Sequence, residues 1–176
     1  EQALPGDVRT LTVTGLGEED ARVLATTLLS NASSRSGVQL SPSEALAIAT
    51  AAHGHPLFID ELVRLRQAGD GGGVVRLDDA LWSRVQDLPK DERRLANIVA
   101  IAGRPISHAI AARAAELDAA AYFRAASGLR AARVALTRGM ARTDQIEPYH
   151  DRVSETVVAR LDPQSLREVH GRLAAS

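Results

Sequence analysis

Apolar residues recur every three or four positions along most of the chain, which is the spacing of amphipathic helices. Before the first such stretch, the acidic residues Glu18–Asp20 form a first turn suited to a helix N-terminus. The pattern predicts a helix that ends near Ser30 and is followed by a loop over the letters NASSRSGVQ. Its expected apolar face consists of Ala21, Leu24, Ala25 and Leu28.

Three further helices are predicted before residue 89. The letters SPSE, from Ser41 to Glu44, form a capping box with proline at the first helical position, so a helix is expected to run to about Ala52. A Gly-His-Pro break follows, and a second helix is predicted from there to about Ala68. Beyond the letters GDGGG, which are typical of a flexible linker, an aspartate caps a short helix that ends at Leu88. Residues 17–88 therefore predict a small four-helix bundle.

The helix after the Gly-His-Pro break has two predicted surfaces. Its apolar face consists of Phe58, Ile59, Leu62 and Leu65. Asp60 and Arg64 lie one turn apart and predict an ion pair, with Glu61 on the same polar side. We expect Asp60 and Glu61 to form a solvated pair with Arg64 rather than to act as an acid and a base.

Residues 89–176 follow another rhythm. Helices are predicted from Pro89 to a stop at Gly103, from Ile106 to Ala115, and from a cap at Asp118 toward Arg133. Short β-like pieces then flank the polar letters RTDQ. Two more helices are predicted over His150–Leu161 and Pro163–Ala174. Three helices followed by a β-turn-β piece predict a winged helix-turn-helix domain.

The beginning of the chain differs from the rest. From Val8 to Leu16, β-branched residues alternate with other residues and predict a short strand. A single strand cannot form a sheet alone. We therefore interpret residues 1–16 as a remnant strand of a core that this segment lacks.

Composition supports a helical protein without membrane or disulfide chemistry. Hydrophobic residues make up 45% of the chain and aromatic residues only 3%, so the core must be built from aliphatic side chains that favour helices. The sequence has no cysteine, no secretory signal pattern and no apolar run of membrane length. A soluble, cytoplasmic location is the expectation.

Charge is nearly balanced and argues against a strongly nucleic-acid-binding chain. The net charge is −1. Residues 1–70 carry five arginines against nine acidic residues, whereas residues 71–176 carry sixteen basic against thirteen acidic residues. This asymmetry permits a weakly basic second half and no more.

A phosphate-binding loop is missing from the sequence. Such a loop requires Gly-x-x-x-x-Gly-Lys-Ser/Thr, and the only lysine, Lys90, follows no glycine-rich stretch. We therefore expect no catalytic residues and no ATPase or kinase activity in this segment. His53, His55, His108 and His170 show no metal-ligand spacing and are interpreted as surface or partly buried polar residues.

Two motifs resemble those of a known family. The letters GHPLFIDELVR resemble the Gly-x-Pro segment in the lid of STAND-class ATPases, which are signal-transduction relatives of AAA+ proteins. The letters PYHDRVSETVVARL resemble the His-Asp segment of their winged helix, the counterpart of the Met-His-Asp motif in apoptotic and plant immune ATPases. The resemblance is strongest to ATPase modules attached to bacterial serine/threonine kinases and large regulators.

The resemblance implies a nucleotide site shared with an upstream core. Pro56 would pack on the adenine, Gly54 would allow the backbone to approach, and His150 would donate a hydrogen bond to the β-phosphate of ADP. The core would supply the phosphate loop and Mg²⁺, and effector domains of the same chain would be the partners. His55 stands where many relatives have Asn, and Tyr149 precedes the His-Asp pair.

Local structural roles remain open for the same residues. Gly-His-Pro can be a helix-helix turn, and His150 and Asp151 can serve only the start of a helix. A DNA-binding regulator is another possibility, with the third helix as reader through Arg124, Arg130 and Arg133 and with Arg138 and Arg142 near the wing. The Ala-rich third helix favours packing against protein. A structural adaptor between effector and repeat domains is the third alternative.

Overall fold

The computed structural model describes residues 12, 14–36, 42–67, 76–139, 141 and 143–176. Within these ranges nine helices account for most of the chain, and three short strands form one antiparallel sheet. The predicted mostly helical fold class is confirmed. The chain divides into two compact units, Glu1–Leu77 and Asp78–Ser176, and each is described by itself.

The first unit contains three described helices that pack on one another: α1 (Glu18–Ser36), α2 (Pro42–Ala51) and α3 (Pro56–Gln67). Small side chains from α1 and α2 meet larger ones from α3, and the alanine faces allow close helix approach. The buried apolar side chains of the three helices and the turn after α2 are Ala21, Ala25, Leu29, Ala45, Ala49, Ala52, Ile59, Leu62 and Val63.

Helix α1 is longer than the sequence pattern predicts. The pattern ends it near Ser30, whereas the helix continues to Ser36. The hydroxyl groups of Thr26, Thr27 and Ser30 each donate to the backbone carbonyl four residues earlier, at 2.8 to 2.9 Å. Because these hydroxyls bond to the helix itself, they do not divert its backbone groups into a turn. The predicted loop over this stretch is wrong up to Ser36.

The strand predicted over Val8–Leu16 lies largely outside the described residues. Residues 14–17 precede α1 as irregular backbone. There the backbone N–H of Leu16 donates to the carbonyl of Gly54 at 2.8 Å. This segment is therefore fastened to the turn between α2 and α3.

The second unit begins with α4 (Leu77–Asp87), of which only the first residue falls in the first unit. The sequence pattern places this helix in the bundle and predicts the boundary after residue 88. The division into two compact units falls between Leu77 and Asp78. Asp78 and Asp79 lie in the first turn of α4, with Leu77 before them.

Three helices and three strands follow α4, and two final helices close the unit. Their bounds are α5 (Lys90–Ala102), β1 (Ile106–Ser107), α6 (His108–Ala114), α7 (Ala119–Ala131), β2 (Ala135–Arg138), β3 (Gln145–Pro148), α8 (Asp151–Arg160) and α9 (Pro163–Ala174). The sheet order is β1-β3-β2, with antiparallel neighbours. In its centre, Ile146 is paired with Ile106 on one side and Thr137 on the other.

Sequence signals place several helix ends correctly. Pro89 precedes α5, and Gly103 ends it with φ 59° while its N–H donates to the carbonyl of Val99. The carboxylate of Asp118 accepts a hydrogen bond from Ala121 N at 2.8 Å and caps α7. The helix predicted from Ile106 begins instead at His108, because Ser107 is the cap and accepts from Ile110 N at 3.2 Å.

Helix α5 is the centre of the second unit. It packs against α6, α7, α8 and α9 and against strand β3. Its buried residues are Leu95, Ala96, Ile98, Val99 and Ala100. Around it, buried side chains from the other elements include Tyr122, Leu129, Ile146, Val153 and Val157. Within the described ranges, no helix is both long and apolar enough to cross a membrane.

Candidate functional site

The Gly-His-Pro segment is a tight connection between α2 and α3. His53 and Gly54 both have left-handed backbone, with φ of 48° and 70°, and His55 N–H donates to the carbonyl of Ala52 at 2.9 Å. A Cβ atom on Gly54 would lie 2.2 Å from the backbone oxygen of Leu16. Glycine is therefore required here twice, by its φ angle and by the close approach of Leu16.

Pro56 is the first residue of α3 and is exposed to solvent. Proline suits this position because the first helical N–H has no partner within the helix. The carbonyl of the preceding His55 accepts from Phe58 N and Ile59 N at 3.0 and 3.1 Å. The turn thus holds the pyrrolidine ring at a fixed place on the surface of the first unit.

His55 packs against α3 rather than extending from the turn. Its ring stacks on Phe58 with a centroid distance of 4.4 Å and an interplanar angle of 26°. The side chain is half-buried. Contact with Phe58 therefore fixes the His55 ring. The next residue, Pro56, remains exposed on the surface.

The acidic pair on α3 divides between two environments. Arg64 Nε donates to Asp60 Oδ2 at 3.1 Å, as predicted for residues one turn apart. Glu61 is only 4% exposed, so its prediction as part of a solvated surface pair is wrong. One position along a helix turns the side chain by about 100°. That rotation carries Glu61 toward the buried face that Leu62 also occupies.

His150 stands between strand β3 and helix α8 in the second unit. Its side chain caps α8, since Nδ1 accepts a hydrogen bond from Arg152 N at 3.1 Å. Because Nδ1 accepts, the proton of the neutral ring resides on Nε2. Asp151 is exposed in the first turn of α8. His150 therefore caps α8 through Nδ1, and its ring proton resides on Nε2.

The three residues of the predicted nucleotide site lie in different parts of the chain. Gly54 and Pro56 occupy one turn of the first unit. His150 belongs to the second unit. The structure thus brings two of the three residues together, and the capping bond fixes the position of the third on its own element.

The third helix of the predicted winged helix, α7, offers few groups for reading DNA bases. Arg124 is exposed, whereas Arg130 Nη1 donates to Thr137 Oγ1 at 3.3 Å. Arg133 lies in the turn beyond α7 and is half-buried, with φ 55°. The other exposed positions of α7 carry small or apolar side chains and are Ala119, Ala120, Phe123, Ser127 and Ala131. Such a surface suits contact with protein better than contact with base edges.

Gly128 of α7 serves the packing of α7 on α5. A Cβ at this position would lie 2.3 to 2.4 Å from the carboxylate atoms of Glu92. The glycine therefore makes room for a carboxylate between two helices, and burial raises the pKa of Glu92. Helix packing therefore accounts for a glycine within the otherwise alanine-rich α7.

The predicted wing region supplies one described arginine. Arg138 Nε donates to Glu147 Oε1 across the hairpin at 2.9 Å, so a carboxylate already faces this cation. Arg142 lies outside the described residues. Asp144 Oδ2 accepts from Ala141 N at 2.7 Å and shapes the turn.

Sequence reasoning missed a buried polar pair in this unit. His108 is only 3% exposed, so its interpretation as a surface or partly buried residue is wrong. Its Nδ1 lies 2.5 Å from the hydroxyl oxygen of Tyr122, which is itself 1% exposed. Tyr122 lies among the buried residues of α7, and a buried tyrosine hydroxyl needs a partner. The need of a buried tyrosine for a hydrogen-bond partner is the sequence signal from which a nearby polar side chain could have been predicted.

Comparisons with known proteins add no relative. No family model, curated protein or solved structure gives a significant match to this chain. Among the described residues, no group of three or more histidine, cysteine, aspartate or glutamate side chains is arranged to hold a metal ion.

Proposed function

We propose that this chain is the helical lid and winged-helix segment of a STAND-class ATPase signalling protein that closes over ADP in its off state. The observation that carries the proposal is the topology of the second unit. Helices α5, α6 and α7 precede the β2–β3 hairpin, β1 joins the same sheet, and a histidine starts the next helix. This order is typical of a winged helix with the β2–β3 hairpin as its wing.

In this proposal Pro56 contacts the adenine of the nucleotide. Its ring is exposed, rigid and apolar, and the left-handed Gly54 turn fixes its position before a ligand arrives. A preorganised apolar contact loses little conformational entropy on binding. The same geometry serves a plain helix-helix turn, so a functional measurement is needed to separate the two roles.

His150 would connect the winged helix to the phosphates. The capping bond at Nδ1 leaves the ring proton on Nε2, the tautomer that can donate to a phosphate oxygen. A hydrogen bond to a charged group contributes about 1.5–3 kcal/mol. That free energy is large enough to shift a two-state equilibrium by more than tenfold.

The rest of the nucleotide site would lie in an upstream core of the same protein. That core would provide the phosphate loop and Mg²⁺, so ATP hydrolysis, and any attached serine/threonine kinase activity, would belong to the parent protein in the cytoplasm. Replacement of ADP by ATP would release the lid and the winged helix. Effector domains of the same chain would respond to the release.

The decisive experiment is calorimetric titration of ADP into a protein that joins this chain to the nucleotide-binding core that the proposal requires. Pro56→Ala is expected to weaken ADP binding about tenfold, which corresponds to about 1.4 kcal/mol. His150→Ser keeps an oxygen that can cap α8 but cannot reach a phosphate, and it is expected to weaken binding by a similar factor. This variant therefore separates loss of the proposed hydrogen bond to the phosphate from loss of the α8 cap.

Matched controls are available in the second unit. Pro163 is also an exposed proline at the start of a helix, and His170 is an exposed histidine. Pro163→Ala and His170→Ala should leave ADP affinity unchanged. If Pro56→Ala and His150→Ser also leave ADP affinity unchanged, the proposed closure over ADP is wrong, and a structural adaptor becomes the better interpretation.

A further inference from the structure

A cavity of about 260 Å³ lies beside α6 and α7 in the second unit. Its wall consists of three alanines and Leu117, the rings of Tyr122 and Phe123, and two nitrogen-bearing side chains, His108 and Arg113. The cavity is thus mostly apolar, with two polar groups. That composition is typical of small-molecule sites.

The size of the cavity limits the ligand. An apolar cavity of about 150 Å³ holds benzene, so a space of about 260 Å³ holds one aromatic ring with a small substituent. Sites for drug-sized molecules usually exceed about 300 Å³. A whole nucleotide would not be enclosed by this cavity, whereas one substituted aromatic ring would be.

The tautomer of His108 is set by its buried neighbour. Burial raises the pKa of Tyr122, so its hydroxyl keeps its proton. Among the described residues His108 Nδ1, at 2.5 Å, is the only hydrogen-bond partner of that hydroxyl. The hydroxyl therefore donates to Nδ1, and the ring proton resides on Nε2.

Nε2 of His108 lacks an acceptor. The atom is shielded from solvent and has no hydrogen-bond partner among the described residues. A buried donor without a partner is costly, so an entering acceptor gains from meeting it. The Phe123 ring lies 6.0 Å from the imidazole and is 37% exposed. His108 and Phe123 both line the cavity, so a ligand contact with Nε2 requires the partly exposed Phe123 ring to move aside.

Arg113 adds a positive charge to the cavity wall. The residue is exposed, and no described carboxylate pairs with its guanidinium. A guanidinium can bind both oxygens of a carboxylate. Together, the Nε2–H group of His108 and the guanidinium of Arg113 favour an anionic acceptor over a neutral apolar ligand.

We propose that the cavity binds a small aromatic monocarboxylate, with its ring among the alanines and Phe123 and its carboxylate near His108 and Arg113. The site lies within the second unit and is independent of the nucleotide function proposed above. Its occupation would fix the contact between α6 and α7, because residues of both helices line it.

Benzoate is the probe for this site, and ¹H–¹⁵N NMR of the full chain is the measurement. We expect saturable shifts of the α6 and α7 amides and of the His108 ring nitrogens, with a dissociation constant of about 1 mM or lower. Benzamide has the same shape without the charge and is expected to bind at least about tenfold more weakly. Equal binding of benzamide, or no saturable shift with benzoate, overturns the proposal.

Three variants test the position of the ligand without disturbing the buried His108–Tyr122 pair. Ala112→Leu fills the cavity and should abolish binding, whereas Ala131→Leu, at an exposed position that does not line the cavity, should not change it. Arg113→Gln should reduce benzoate affinity about tenfold and leave benzamide affinity unchanged. If Ala112→Leu binds benzoate like the parent chain, the ligand lies elsewhere and the assignment is wrong.

Discussion

At the residue scale, Gly54 has little freedom to change. Its φ of 70° and the 2.2 Å approach of a built Cβ to the backbone oxygen of Leu16 exclude a side chain unless the turn moves. We expect Gly54→Ala to lower the free energy of unfolding by about 2 kcal/mol or more, since strain from positive φ adds to a clash with backbone. Chemical denaturation followed by circular dichroism measures the loss.

Gly171 is the matched control for the effect of alanine itself. It lies in the interior of α9, and a Cβ there meets nothing within 4 Å. Gly171→Ala should therefore raise stability by about 0.5–1 kcal/mol through helix propensity alone. A Gly54→Ala protein as stable as the parent chain would show that the turn adapts and that the glycine is not required by geometry.

Single residues were predictable from sequence when their signal was local. Asp118 caps the start of α7 and Gly103 caps the end of α5, as expected. A cap depends only on residues within one turn, so its signal is local. The burial of Glu61 and His108 could not be predicted in this way. Each depends on a neighbouring helix that sequence spacing does not identify, and at His108 that neighbour carries a tyrosine hydroxyl.

At the element scale, an ion pair connects α4 to α8 within the second unit. Arg152 Nε and Nη2 donate to the two oxygens of Asp78 at 2.8 and 3.0 Å, and Thr156 Oγ1 donates to Asp78 Oδ1 at 3.3 Å. These bonds raise the pKa of Arg152. Arg160 also pairs with Asp79. None of these long-range partners is visible in the helical pattern of α4.

A double-mutant cycle with Asp78→Ala and Arg152→Ala measures this connection. We expect a coupling energy of about 1 kcal/mol, because the pair is two-pronged and partly buried. The Asp60–Arg64 pair, which has a single hydrogen bond between residues one helical turn apart, is the reference and should give about 0.3–0.5 kcal/mol. A coupling for Asp78 and Arg152 no larger than the reference would mean that apolar packing alone holds α4.

Elements with a long apolar period were the most predictable, and short ones the least. The helix predicted over Pro163–Ala174 agrees with α9 at both ends, since Asp162 and Pro163 mark its start. Strand β1 has only two residues, too few to show the alternation of apolar and polar residues that indicates a strand. The sequence pattern therefore predicts Ile106 as part of the following helix. Its strand conformation depends on pairing with Ile146, forty residues later in the chain.

At the scale of the whole molecule, the predicted boundary between the two domains and the observed boundary between the two compact units lie at different residues. The sequence places α4 in the bundle and starts the second domain at residue 89, whereas the structure starts the second unit at Asp78. Ala80, Leu81 and Val85 of α4 are buried. Arg84 Nη1 of the same helix donates to the carbonyl of Ala132 at 3.3 Å, which ties α4 to the end of α7.

Comparison of residues 78–176 with residues 89–176 tests the boundary. We expect the longer segment to unfold cooperatively and the shorter one to be less stable by about 3 kcal/mol or more, since burial of one leucine or valine contributes about 1.5–3 kcal/mol. Thermal and denaturant unfolding by circular dichroism give the difference. Asp78→Ala in the longer segment should remove only the ion-pair part, so most of the loss should require deletion of the whole helix. Equal stability of the two segments would assign α4 to the first unit, as the sequence pattern predicts, and would leave the Asp78–Arg152 pair as a contact without consequence for folding.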